Sequence, residues 1–153
     1  MARVNKVGHV VLNVRDLDAS IKFYTEGLGM ELMAHNQERR NAFLSFGTQH
    51  HNIALFTAPE GAERGELGLN HIAMQIEGGE AELGQIYGRL VNAGARIDRT
   101  TDHVVTRSVY FFDPDGNRLE IFCEMMQPEE GMQFVRDGRA TGRPLEIEPV
   151  SSR

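Results

Sequence analysis

The hydrophobic pattern of the chain runs through one cycle and then repeats it. In GHVVLNV, residues 8–14, Val10, Leu12 and Val14 fall on one side of an extended strand, while His9, Val11 and Asn13 fall on the other. This is the two-residue period of a strand buried on one face. NHIAMQI, residues 70–76, aligns with it residue for residue: Ile72, Met74 and Ile76 repeat the aliphatic side, and His71, Ala73 and Gln75 repeat the side with an imidazole, a small residue and an amide. Each strand leads into an acidic opening and an amphipathic stretch of helical period, DLDASIKFYTEGLGMEL and then EGGEAELGQIYGRLVNAGARI. Asp16 or Asp18 is placed to cap the first helix and Gly27 or Gly29 to stop it; residues 77–80 lead into the second, and Gly94 ends it. Three β-prone runs follow each helix, at 30–36, 41–46 and 52–57, and again at 95–98, 108–112 and 118–124.

The pattern predicts an α+β fold made of two βαβββ modules, residues 1–57 and 69–124, joined by a linker at 58–68. Paired about a pseudo-twofold axis, they would form a cupped mixed β-sheet with the helices outside. Residues 125–153 read as a polar tail over the surface, and 153 residues are one domain's worth. The single cysteine, Cys123, excludes an internal disulfide and a zinc ribbon. A net charge of −6 without a basic block leaves out the electrostatic footprint of a nucleic-acid binder. No apolar run approaches the roughly 18 residues of a membrane span, and MARVNKVGHVVLNV lacks the pattern of a secretory leader, so a cytoplasmic protein away from membranes is expected. What remains is a site for a small molecule.

The polar sides of the strands carry the candidate chemistry. On the last strand Leu119 and Ile121 face the helix side, and Arg118, Glu120 and Phe122 face the other. A carboxylate there is costly unless paired, and Arg118 is one candidate partner. If the modules pair, His9 and His71 point into one cup and Glu120 joins them. Two imidazoles and a carboxylate form the facial triad expected of non-haem Fe(II), with coordination positions left open. The turn Asp113-Pro114-Asp115-Gly116-Asn117 sets the register that brings Tyr110 and Glu120 onto the same face of adjacent strands.

The segments VGHVVLNVRDLDASIKFYTEGLGMEL, GLNHIAMQI and YFFDPDGNRLEIFCE resemble those of the vicinal oxygen chelate superfamily, which also includes glyoxalases and bleomycin resistance proteins. The last segment is similar to its counterpart in small single-domain type I extradiol catechol dioxygenases. That resemblance implies His51 as acid–base residue, Tyr110 as the group touching the bound diol, and His103 as a further site histidine. Strict alternation through HHNIALF puts His50, rather than His51, on the cavity side, so His50 stays as the alternative. The implied activity is ring cleavage of a small aromatic diol with Fe(II) and O2, in a homodimer or higher assembly. Competing implications are a glyoxalase-like isomerase or lyase using Mn, Ni or Zn, and a ligand-binding protein without chemistry. In glyoxalases a fourth ligand, Glu, comes from the last strand of the first module, where this chain has Ala54. Fosfomycin resistance enzymes carry Thr two residues after the first His, where this chain has Val11.

Overall fold

The computed structural model describes residues 9–48, 51–63, 69, 71–137, 139 and 141–150, and within them the chain forms two compact units, Met1–Glu66 and Leu67–Arg153. The architecture is α+β, with one mixed sheet in each unit and few helices. Gly8, His50 and Asn70 lie outside the described residues. Among the described residues no helix is long and apolar enough to cross a membrane.

In the first unit β1 (Val10–Val14), β2 (Glu31–Asn36), β3 (Asn41–Ser45) and β4 (Ile53–Thr57) form a sheet of order β1-β4-β3-β2. The β1–β4 pair is parallel and the other pairs are antiparallel. The parallel pair requires a crossover, supplied by α1 (Leu17–Lys22) and the π-helical turn Phe23–Gly27. Asp16 caps α1, its carboxylate accepting the Ala19 amide at 2.9 Å, and Gly29 leaves the helix with φ of 71°. Leu12, Val14, Leu44 and Leu55 are buried on the helix side with Phe23 and Tyr24, whereas His9, Val11 and Asn13 are exposed, as the alternation requires.

The second unit repeats the topology. Strands β5 (Ile72–Gln75), β6 (Arg96–Asp102), β7 (Thr106–Phe112) and β8 (Arg118–Glu124) take the order β5-β8-β7-β6, with β5 and β8 parallel. Helix α2 (Glu80–Asn92) crosses between β5 and β6. Its start is held by Glu82, whose carboxylate accepts the Gly79 amide at 2.8 Å, and Gly94 follows its end with φ of 80°. Leu83 and Leu90 of α2 are buried, as are Val109, Phe111, Leu119 and Ile121 of the sheet. Burial of side chains this large is worth roughly 1.5–3 kcal/mol each.

The tail holds more structure than its polarity predicts. Helix α3 (Pro128–Arg136) follows β8, and β9 (Arg143–Pro144) adds a fifth strand at the β6 edge. Beyond β9 the Val150 amide donates to the Gly84 carbonyl of α2 at 2.9 Å. Strand β6 also runs four residues past its expected end at Asp98, because β7 and β9 hydrogen-bond it on both sides.

Candidate functional site

The turn after β7 forms as its composition demands. The Asp113 carboxylate accepts the amides of Asp115 and Asn117 at 3.0 and 2.7 Å, and Gly116 takes φ of 76°. With that turn closed, Tyr110 stands directly opposite Glu120, and Glu120 pairs in turn with Ala73 of β5. His71 immediately precedes β5. Its Nε2 lies 3.1 Å from Glu120 Oε2, and the Glu120 side chain is only 8% exposed.

The partner of Glu120 is therefore His71 and not Arg118. A register shift between Ile97 and Arg99 interrupts the β6–β7 pairing at Asp98, whose carboxylate takes Arg118 Nε and Nη2 at 3.1 and 2.5 Å. The Arg118 guanidinium also stands 4.9 Å from the Tyr110 ring centre and Arg99 stands 4.5 Å from it, so two cations flank the phenol. Tyr110 is buried, and its pKa is raised above the usual phenol value, first by burial and then by the negative charge of Glu120, with Arg99 opposing. The phenol stays protonated at neutral pH.

His103 joins this group from the β6–β7 turn. Its Nε2 is 3.0 Å from the Tyr110 hydroxyl and its Nδ1 is 3.1 Å from the Thr141 carbonyl. A carbonyl only accepts, so Nδ1 carries a proton, and the Tyr110 hydroxyl stands between His103 Nε2 and the Glu120 carboxylate, which accepts a hydrogen bond from it. The turn is built by Asp102. One of its oxygens accepts the Val104 amide at 2.7 Å, and the other takes Arg143 Nε and Nη2 at 3.2 and 2.9 Å. The Val104 amide, and after it Arg143, hold the Asp102 carboxyl below the usual carboxylate range. Sequence reading missed that β9 braces this turn. The signal available in the sequence was Arg143, a cation in an otherwise unassigned tail.

The first unit presents a different set. The rings of His9 and His51 stand 4.6 Å apart, and Phe43 meets His51 edge-on at 5.0 Å. Val11 pairs with Ala54, and Ala54 with Phe43. In the internal repeat these correspond to Ala73, Glu120 and Tyr110. The first unit thus carries a methyl group where the second carries its carboxylate, and a phenyl where the second carries its phenol. Each unit supplies one part of the expected set: His9 with His51, and His71 with Glu120, Tyr110 and His103. Among the described residues no group of three or more His, Cys, Asp and Glu side chains is gathered for a metal ion.

The His71–Glu120 pair fits two ligands of one ion. Donors about 2.1 Å from an octahedral metal and at right angles to each other stand about 3 Å apart, close to the 3.1 Å seen here. An imidazole nitrogen and a carboxylate oxygen are also the donor types of such a site.

A family model described as the glyoxalase/bleomycin resistance protein/dioxygenase superfamily matches residues 6–121. The chain is 31% identical over 138 residues to biphenyl-2,3-diol 1,2-dioxygenase 3 of Rhodococcus globerulus, covering 85% of this chain and 70% of that protein. It is also 31% identical over 126 residues to a probable lactoylglutathione lyase of Vibrio parahaemolyticus, covering 76% of this chain and 88% of the relative. Among solved structures, a fosfomycin resistance protein from Listeria monocytogenes superimposes with a TM-score of 0.66 at 23% identity, over 84% of this chain and 99% of that one. That last likeness concerns the fold alone.

Proposed function

The chain belongs to the glyoxalase/bleomycin resistance protein/dioxygenase superfamily, and within it we propose that it is an extradiol dioxygenase, cleaving the ring of a catechol-type diol with Fe(II) and O2. The observation that carries the proposal is the contact between half-buried His71 and buried Glu120, with Tyr110 on the strand paired to Glu120. His71 and Glu120 are proposed as two metal ligands, with His9 as the third, supplied by the same chain or by a second copy in a homodimer. When bound, Fe(II) supplies Lewis acidity toward the diol oxygens and the redox chemistry that O2 requires.

The protein groups then divide the remaining work. His51, half-buried beside His9, takes a proton from a diol hydroxyl and later returns one as the ring opens. His50 keeps its place as the alternative acid–base residue. Tyr110, neutral at pH 7, orients a substrate oxygen through its hydroxyl, and His103 fixes the direction of that hydroxyl. Both atoms of O2 enter the product as one carbon–carbon bond of the ring is broken.

A metal-dependent isomerase or lyase using Mn, Ni or Zn is the competing reading, and the likeness to a probable lactoylglutathione lyase favours it. Ala54 at the repeat position of Glu120 counts against it, since a methyl group has no donor atom to serve as a fourth metal ligand. Oxygen uptake on adding catechols to the iron-loaded protein, with 18O2 labelling of the product, separates the two. Equimolar uptake with both labelled atoms retained is expected. Conversion without oxygen consumption would assign the chain to the isomerase class.

A further inference from the structure

The polar end of the chain is fastened to the second unit at three places. Arg143 binds Asp102 through Nε and Nη2, and β9 lies in register with Thr101 and Asp102 of β6. Leu145 exchanges hydrogen bonds with Thr100: its amide donates to the Thr100 carbonyl at 3.3 Å, and its carbonyl accepts the Thr100 hydroxyl at 2.6 Å. Five residues on, the Val150 amide donates to the Gly84 carbonyl at 2.9 Å, and a Cβ placed on Gly88 would overlap the Val150 carbonyl. Gly84 and Gly88 lie four apart on one face of α2, so together they open a groove that admits a backbone. Mid-helix glycine costs about 0.5–1 kcal/mol relative to alanine, and here it makes room for the end of the chain.

The start of the same segment meets His103. The Thr141 carbonyl stands 3.1 Å from Nδ1, and Gly142 packs against the ring. A Cβ at position 142 would stand 3.3 Å from Nδ1, 3.4 Å from Cε1 and 3.3 Å from Thr101 Cγ2, closer than the roughly 3.5–4.0 Å of an ordinary carbon contact. The φ of Gly142 is not in the left-handed region, so space rather than backbone conformation calls for glycine there. A neutral imidazole has two tautomers, and an acceptor fixed at one nitrogen selects between them. With the Nδ1 proton given to Thr141, Nε2 is the nitrogen turned to the Tyr110 hydroxyl at 3.0 Å.

We propose that Thr141 and Gly142 are positioning residues for the candidate site. The Thr141 carbonyl fixes the tautomer of His103, the missing side chain of Gly142 fixes the place of its ring, and both act on the reaction through the Tyr110 hydroxyl. The proposal rests on the reading of Tyr110 as the group that orients a substrate oxygen. It makes the C-terminal segment part of the site through its main chain.

Two measurements test it. Long-range 1H–15N correlation of the zinc-loaded protein reads the tautomer of His103, assigned by its loss in His103→Gln, at about pH 8.5, well above the range in which imidazoles take up protons. The Nδ1–H form is expected in the parent, and the mixture of a free ring in Gly142→Val. With iron-loaded protein and catechol, Gly142→Val is expected to lower kcat about tenfold at retained iron content, but less than about twofold when Tyr110 is already replaced by Phe. A residue that mattered only for stability would lower kcat alike in both backgrounds. An Nε2–H ring in the parent would overturn the proposal without any variant. So would equal losses in the two backgrounds, or an unchanged tautomer in folded Gly142→Val. If valine prevents folding, Gly142→Ala, which moves the ring by only a few tenths of an ångström, is expected to lower kcat about two- to threefold with the same dependence on Tyr110. The dioxygenase reading fails separately: an Nδ1–H ring that Gly142→Val disturbs, in a protein that takes up no oxygen with any catechol, refutes that reading and leaves the hold on His103 standing.

Discussion

Asp102 offers the sharpest test of how the second unit holds its phenol. One carboxylate oxygen accepts the Val104 amide at 2.7 Å, and the other binds Arg143, whose side chain is 70% exposed. The two contacts differ in worth. A hydrogen bond to a charged group contributes about 1.5–3 kcal/mol, whereas an ion pair with a solvated partner contributes about 1 kcal/mol or less. Asp102→Ala is therefore expected to cost about 2–3 kcal/mol. Asp102→Asn keeps an acceptor for the Val104 amide and should cost about 1 kcal/mol, and Arg143→Ala less than about 1 kcal/mol. The dependence on pH has a definite sign. The folded carboxyl has a lowered pKa, so the unfolded chain takes up its proton first as acid is added. The stabilisation is complete above the ordinary carboxylate range and fades as pH falls through the lower folded value. Urea unfolding followed by circular dichroism, at pH 7 and in steps down to about pH 3, reads both quantities. An Asp102→Ala deficit that did not shrink in acid, or an Arg143→Ala deficit as large as that of Asp102→Ala, would refute the reasoning.

Three further outcomes follow from the same geometry. Val104 is β-branched with φ of 71°, so Val104→Gly should fall within about 0.5 kcal/mol of the parent or above it, the relief of about 1–2 kcal/mol offsetting lost packing; a Tm drop equivalent to more than about 1 kcal/mol would contradict this. Tyr110→Phe removes the hydroxyl that meets His103 Nε2 and should lower turnover on the order of 10- to 100-fold while iron content is retained; loss of the iron as well would assign Tyr110 to metal binding. Cys123 is fully buried with a pKa raised by that burial, so it should react with a thiol reagent only when the protein is unfolded, and rapid modification of the native protein would exclude the packing described.

The features legible in the sequence are those written by local chemistry. The repeat of GHVVLNV in NHIAMQI announced two modules of the same element order, and each forms its own mixed sheet, because side-chain period and strand burial are the same fact seen twice. Asp16 and the Asp113–Asn117 turn were readable because capping and turn formation need particular atoms at fixed spacing. The facing of Tyr110 and Glu120 followed from that turn. The pairing of Glu120 was not readable: Arg118 shares its face, but the interruption at Asp98, which no local pattern marks, draws Arg118 away. The roles of the tail were hidden for a similar reason. Strand β9 is two residues long and exists only because β6 offers it an edge. His103 reaches Tyr110 through a turn built by a residue, Arg143, far along the chain.

The central claim is that His9, His71 and Glu120 hold iron, and metal content tests it most directly. Protein isolated anaerobically from iron-replete cells and analysed by inductively coupled plasma mass spectrometry is predicted to carry equimolar iron. His9→Ala, His71→Ala and Glu120→Ala, each confirmed folded by circular dichroism, are predicted to retain about a tenth of it or less. Parent protein that carried no iron, or a His71→Ala variant that kept its full complement, would contradict the account.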